Sequence, residues 1–226
     1  SVVTMHGAKK NIKTYLAFDH IICVSKRLAQ IVGQPHKVSV VYNGISLNIT
    51  AQPFVKNRKF IAIGRLNEVK GFNLLLAAWQ NIPCELTIIG DGEERDRLEK
   101  LIKEYQLADR VKLYGYSNNI HPLIAEHEAL IVSSLREGGP YTLAETLLLE
   151  RPVIGTNVGM MSEFIPTEFL CEPNNILALQ QLIKNYLKIS DPESSFKTAY
   201  VLAQEQLTFT KMIDHTVQVY QSLFSV

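Results

Sequence analysis

From about residue 60 the chain repeats one pattern: a short, almost wholly apolar run, a Gly or Ser turn, then a stretch with helical spacing. The runs are Phe60-Ile61-Ala62-Ile63 before Gly64, Leu86-Thr87-Ile88-Ile89 before Gly90, Val111-Lys112-Leu113-Tyr114 before Gly115, Ala129-Leu130-Ile131-Val132 before Ser133, and Val153-Ile154 before Gly155. Their spacing leaves room for one helix between each pair, which predicts successive βαβ units. Continuous apolarity, rather than alternation, predicts a sheet covered on both faces, hence a parallel, doubly wound, Rossmann-like α/β sheet.

Acids at Asp91, Glu93 and Glu94 predict a helix from there to about Tyr105, with Leu98, Leu101 and Ile102 as its buried stripe. Pro140 suits the first turn of a later helix. The first 50 residues carry a shorter version: strands at Val2–Met5, Ile21–Val24 and Val38–Val41, and a helix near Ser25 to Val32. Three strands with one or two helices make less than a whole domain. The polar stretch from Asn48 to Lys59, with Pro53, reads as a linker. After Pro173 the chain reads as helical to its end, broken near Ser190-Asp191-Pro192, with a terminal amphipathic helix over Met212 to Leu223.

At 226 residues the chain has room for one domain with appendages or two small ones, and its 46% hydrophobic and 20% charged residues belong to a folded protein. A net charge of +1, from 23 Lys plus Arg against 22 Asp plus Glu, argues against nucleic acid as a main partner. No apolar run approaches the ~18 residues that cross a bilayer. The first residues lack the apolar run of a signal peptide, and Cys23, Cys84 and Cys171 are scattered, so a cytoplasmic setting is expected. The start at Ser1 suggests a piece of a longer protein or a processed one.

In an open α/β sheet, ligands sit beyond the C-terminal strand ends, so each exit was weighed for phosphate. Gly90-Asp91-Gly92 resembles a dinucleotide loop only superficially: Arg95 replaces the third Gly, and its acids would repel a pyrophosphate, so it reads as an acidic helix cap. No P-loop is present. Gly64-Arg65 leaves one strand directly and Lys70-Gly71 follows five residues later, which would put two cations at one strand end; the alternative is a pair of exposed surface cations. Another exit carries Glu137-Gly138-Gly139-Pro140-Tyr141-Thr142-Leu143-Ala144-Glu145, whose glycines permit close approach of a ligand. Its glutamates could equally complement a helix dipole. No DxD pair and no His spacing suggests a metal, and Glu126-His127-Glu128 reads as part of a helix whose neighbours point apart.

Taken in order, Gly64 through Gly71, Ile88 through Gly92, Ser134 through Glu145 and Arg151 through Gly159 resemble the group 1 retaining glycosyltransferases of the GT-B fold, over about residues 19 to 165. Asp19 to Ser25 and Val40 to Gly44 resemble the last βαβ unit of that family's N-terminal domain, and His6 a strand-end histidine facing the donor sugar. The resemblance implies a partial acceptor-side domain over residues 1–52, a nucleotide-sugar donor-binding domain over 53–205, and a terminal helix over 206–226 crossing back. It implies that Arg65 and Lys70 hold the donor diphosphate and that Glu145 receives the ribose hydroxyls. Glu137 would sit by the transferred sugar, the backbone of Gly138, Gly139, Tyr141 and Thr142 would touch sugar or phosphate, the Tyr116-Ser117 turn would face the base, and Gly64 would belong to the donor site beside Arg65.

Gly139 and Met160 depart from frequent family residues, and the first strands of the acceptor domain are missing. The leading expectation is therefore the donor-binding part of a metal-independent hexosyltransferase, using a UDP- or GDP-sugar as substrate, with no cofactor. The alternatives are a nucleotide-sugar-binding fragment without activity of its own and a nucleotide-sugar epimerase; a dinucleotide dehydrogenase would need the absent GxGxxG. A glycan, lipid-linked or small-molecule acceptor all remain open. Lys9, Lys10, Lys13, Lys26 and Arg27 form either a basic face for peripheral contact with an anionic membrane or a merely solvated one.

Overall fold

The computed structural model describes residues 1–7 and 12–224. Its elements run β1 (Val2–Met5), α1 (Lys13–Leu16), β2 (His20–Cys23), α2 (Lys26–Val32), β3 (Val38–Val40), β4 (Lys59–Ile63), α3 (Phe72–Trp79), β5 (Glu85–Ile89), α4 (Arg95–Glu104), β6 (Val111–Gly115) and α5 (Ile120–Glu126). The chain continues through β7 (Ala129–Val132), α6 (Tyr141–Leu148), β8 (Val153–Thr156), α7 (Met161–Phe164), β9 (Leu170–Cys171), α8 (Ile176–Tyr186), α9 (Pro192–Gln206) and α10 (Phe209–Phe224). The larger sheet has the order β6-β5-β4-β7-β8-β9 and every pairing in it is parallel. Helices cover both faces, with α3, α4 and α8 packed on one another and α5, α6 and α9 forming a second set. The doubly wound parallel sheet expected from the sequence is thus the fold.

Two-sided cover explains the apolar runs. Phe60, Ile61 and Ala62 of β4 and all four residues of β7 are buried. Phe60 meets Trp79 and Tyr186 edge-on at centroid distances of 5.6 and 5.8 Å, and the Trp79 indole N–H donates to the Cys84 carbonyl at 2.9 Å.

The N-terminal strands form a separate parallel sheet in the order β1-β2-β3. The period of two along β2 divides its side chains. Ile21 and Cys23 join Met5, Tyr15, Leu28 and Val32 in one small core. Ile22 faces the other way, onto Val41 and Val219, with Met212 and Leu223 packed beside them. So α10 closes the open face of this sheet, and its outer side carries a second apolar stripe of Phe209, Ile213, Val217, Tyr220 and Phe224, all exposed.

Three local expectations are corrected. The helix expected from Asp91 begins at Arg95, because the Gly90 and Gly92 backbones lie against the Gly64 and Leu66 carbonyls; Leu98 and Ile102 are buried and Leu101 only partly. Pro140 precedes α6 rather than entering it. Glu126 ends α5, so His127 and Glu128 lie outside the helix, and Glu128 is fully buried, accepting from the Arg58 amide at 2.6 Å. The two-residue β9 was not anticipated, since so short an edge strand leaves no periodic signal. Lys9 and Lys10 lie outside the described residues; Arg27 is exposed, and its guanidinium donates to the Asn157 carbonyl at 3.0 Å.

The supposed linker has no regular structure, yet it is firmly held. Arg151, only 1% exposed, donates to the carbonyls of Gln52, Pro53, Ala125, Leu149 and Glu150 at 2.9–3.3 Å. Asn57 adds a bond to the Glu126 carbonyl at 2.9 Å. A guanidinium can satisfy several carbonyls from one point because its five donors form a rigid fork. Replacing it with Met keeps the volume and strands those acceptors, so Arg151→Met is expected to lower the unfolding free energy by about 2–4 kcal/mol. Urea unfolding checks this; an unchanged midpoint would contradict the account.

Candidate functional site

The strand order places a topological switch between β4 and β7. The chain leaves β4 toward β5 on one side and leaves β7 toward β8 on the other, so the two exit loops diverge and open a crevice. Across it the loops are tied by two hydrogen bonds: the Leu135 amide donates to the Val69 carbonyl at 2.8 Å, and the Ser133 hydroxyl to the Lys70 carbonyl at 2.8 Å.

This tie brings Lys70 and Glu137 together. The Lys70 ammonium lies 2.7 Å from Glu137 Oε1, and the same oxygen accepts from the Ser134 hydroxyl at 2.8 Å. Both charged side chains are largely shielded, 23% and 15% exposed. The Lys70 stem crosses Gly64, where an added Cβ would lie 2.8 Å from Lys70 Cε. Asn67 caps the turn that presents the lysine by accepting from the Lys70 amide at 3.2 Å.

Arg65, next along β4's exit, is exposed and has no ion-pair partner among the described residues. It helps line a cavity of about 400 Å³ with Gly64, Gly90, Asp91, Tyr116, Ser117 and Ile120. The two cations expected to act alike therefore differ: Lys70 is neutralised by a carboxylate and Arg65 is not. Gly90 serves the wall of this cavity. At φ 143° its Cα approaches β4's exit so closely that a Cβ would sit 1.9 Å from the Gly64 carbonyl oxygen.

On the Cβ side of the Gly138-Gly139 pair the close neighbour is protein. A Cβ on Gly138 would lie 1.9 Å from the His6 carbonyl oxygen, and one on Gly139 would lie 3.2 Å from that of Val24. Asn43, buried, donates its amide to the Gly139 carbonyl at 3.1 Å. The glycines thus let the exits of β1 and β2 dock on the loop that carries Glu137. His6 comes to this loop through its backbone, with its ring exposed.

Beyond that loop, α6 begins with no side-chain cap, leaving the Tyr141 and Thr142 end of the helix open. Tyr141 and Tyr116 are both exposed, and Thr142 is partly buried. One turn along, Glu145 lies 3.4 Å from His121 Nε2, and burial pushes its carboxyl above the usual range while His121 opposes that shift. Among the described residues no three His, Cys, Asp or Glu side chains cluster as metal ligands do, and no helix is long and apolar enough to cross a membrane.

Sequence reasoning passed over three participants. Glu163 of α7 accepts from the Lys26 amide at 2.9 Å and from the Tyr42 hydroxyl at 2.7 Å, capping α2 from across the interface. Asn43 lies within Val40 to Gly44, where nothing local signals its partner at Gly139. His121 has no metal-ligand spacing to signal it, and its partner is a carboxylate on another helix.

Residues 48–201 match the sequence model of the family described as "Glycosyl transferases group 1". An uncharacterized glycosyltransferase of Methanocaldococcus jannaschii is 36% identical over 134 residues, 57% of this chain and 31% of that protein. The Campylobacter jejuni N-acetylgalactosamine-N,N'-diacetylbacillosaminyl-diphospho-undecaprenol 4-alpha-N-acetylgalactosaminyltransferase is 30% identical over 174 residues, 72% of this chain and 48% of that protein. The chain thus spans a third to a half of these curated relatives. Anabaena HepE, solved in complex with UDP and glucose, has the same fold at a TM-score of 0.83 and 20% identity, covering 100% of this chain and 71% of that one.

If the glycines serve the docking of β1 and β2, Gly138→Ala should loosen that contact while sparing the larger sheet. Amide exchange at Val24 and Val41, which bond to the Met5 and Cys23 carbonyls, is expected to speed at least about tenfold, with β4 and β7 unchanged. Unaltered exchange at the two valines would contradict this reading.

Proposed function

This chain belongs to the group 1 glycosyltransferases, and we propose that it carries the donor-binding part of an enzyme that transfers a sugar from a nucleotide diphosphate sugar, with retention and without a metal. The donor site lies at the β4–β7 crevice, within residues 53–205. The observation that carries the reading is Arg65: on the β4 side of that crevice, an exposed cation without an ion-pair partner among the described residues, lining a cavity of about 400 Å³ that runs along the exits of β4, β5 and β6.

In this reading Arg65 binds the donor diphosphate together with Lys70. The Lys70–Glu137 pair keeps the ammonium from standing alone while the site is empty, and an arriving diphosphate shares that cation. The uncapped start of α6 adds N–H groups and the positive end of a helix dipole. As the bond between the anomeric carbon and the diphosphate oxygen breaks, the electron pair and its charge go to the diphosphate. Groups already aimed at that position stabilise the charge without reorganising. Glu137 faces the transferred sugar, His6 approaches it from the β1 exit, and the backbone of Gly138, Gly139, Tyr141 and Thr142 borders sugar and phosphate. Glu145 receives the ribose hydroxyls, and Tyr116 and Ser117 border the base.

UDP is the first nucleotide to test, since the structurally similar Anabaena HepE is solved with it. The acceptor is held with the help of parts of the enzyme beyond residues 53–205, of which β1–β3 supply one wall. A nucleotide-sugar-binding role without transfer shares the site, and activity in a complete enzyme separates the two. A nucleotide-sugar epimerase is distinguished by interconversion of the donor in the absence of an acceptor.

Thermal unfolding with UDP, GDP or NAD tests the reading. At about 100 times its dissociation constant, the cognate nucleotide is expected to add about 2.7 kcal/mol, or about 5–10 °C in Tm at this size. Arg65→Ala and Glu145→Ala should each remove most of the shift. Stabilisation by NAD alone, or an undiminished UDP and GDP response in both variants, would contradict the proposal.

A further inference from the structure

The nucleotide end of the site has an arrangement that the diphosphate chemistry leaves unexplained. Glu145 is 16% exposed and His121 13%, and the His121 Nε2 lies 3.4 Å from Glu145 Oε1. Among the described residues His121 is the one side chain in polar contact with that carboxylate. The other ring nitrogen, Nδ1, faces the side-chain oxygen of Asn48, whose backbone amide is also 3.4 Å away. Three side chains from three separate segments therefore form one row: Asn48 from the segment joining the two sheets, His121 from α5, and Glu145 from α6. Ile120, the residue before His121, lines the 400 Å³ cavity beside Tyr116 and Ser117.

A shielded carboxylate with a single partner has its orientation set by that partner, because no other hydrogen bond competes. A ring with a polar partner at each nitrogen is itself fixed in orientation. We infer that His121 is a positioning residue for nucleotide recognition: held by Asn48, it fixes the Glu145 carboxylate in the orientation that receives the ribose hydroxyls. This rests on the proposed placement of the ribose at Glu145 and adds to it the residue that makes the carboxylate selective. It also ties that selectivity to the segment between the sheets, since Asn48 belongs to it.

A histidine that only packed against its neighbours would affect all nucleotides alike. One that positions Glu145 acts on the ribose hydroxyls alone, so the discriminating quantity is the affinity ratio between UDP and 2′,3′-dideoxy-UDP, and likewise for GDP and its dideoxy analogue. Isothermal titration of the full chain is expected to show wild type favouring the ribonucleotide by about tenfold or more. Glu145→Ala should bring the ratio near one. His121→Leu should reduce it at least about threefold, His121→Gln, which can still donate to the carboxylate, should recover much of it, and Asn48→Ala should fall between.

An unchanged ratio in His121→Leu, alongside a collapsed ratio in Glu145→Ala, overturns the role of His121 and leaves the ribose placement standing. An unchanged ratio in Glu145→Ala, or no binding of either ribonucleotide by wild type, overturns the ribose placement and this inference with it. Should His121→Leu fail to fold, Asn48→Ala decides the matter: a lowered ratio supports the inference, and equal loss for both nucleotides overturns it.

Discussion

The pairing of β4 with β7 is the constraint on which the rest of the molecule depends. These strands are neighbours in the sheet although three helices and two strands separate them in the chain. Because the crossovers leave in opposite directions, the exits cannot cover one another, and a crevice follows from topology before any side chain is specified. What the side chains do is furnish it. Ser133 and Leu135 of one loop bond to Lys70 and Val69 of the other, so a lysine and a glutamate 67 residues apart become an ion pair of 2.7 Å.

A second constraint is close backbone approach. Glycine at 90 lets the β5 exit close on the β4 exit, and glycine at 138 lets the β1 exit close on the loop after β7. The first shapes the cavity beside Arg65, and the second brings the smaller sheet against the same crevice. Glu163 and Asn43 complete that contact with bonds to α2, Tyr42 and Gly139. The fold thus spends its glycines on joining protein to protein, while α10 fastens the far face of the smaller sheet through Val219.

The larger sheet was legible because each buried parallel strand writes itself as an unbroken apolar run such as Ala129–Val132. β9 was not, because two residues cannot express a period. Gly64, Arg65, Lys70, Glu137 and Glu145 were legible as loop and helix residues following strand exits, at the C-terminal end of the sheet. Their pairings were not legible. Nothing local distinguishes Arg65, left free, from Lys70, taken by Glu137, since the partner arrives from a strand that is adjacent only in space. The same holds for His121, Asn48 and Glu163, each of which acts on a residue at least 24 positions away. The supposed linker was read from its polarity, but its fixation comes from Arg151, a residue buried far along the chain.

A crystal structure of this chain soaked with UDP tests the central claim most directly. The account predicts the diphosphate between Arg65, Lys70 and the start of α6, with the ribose at Glu145. UDP bound at any other strand exit, with the β4–β7 crevice vacant, would contradict it.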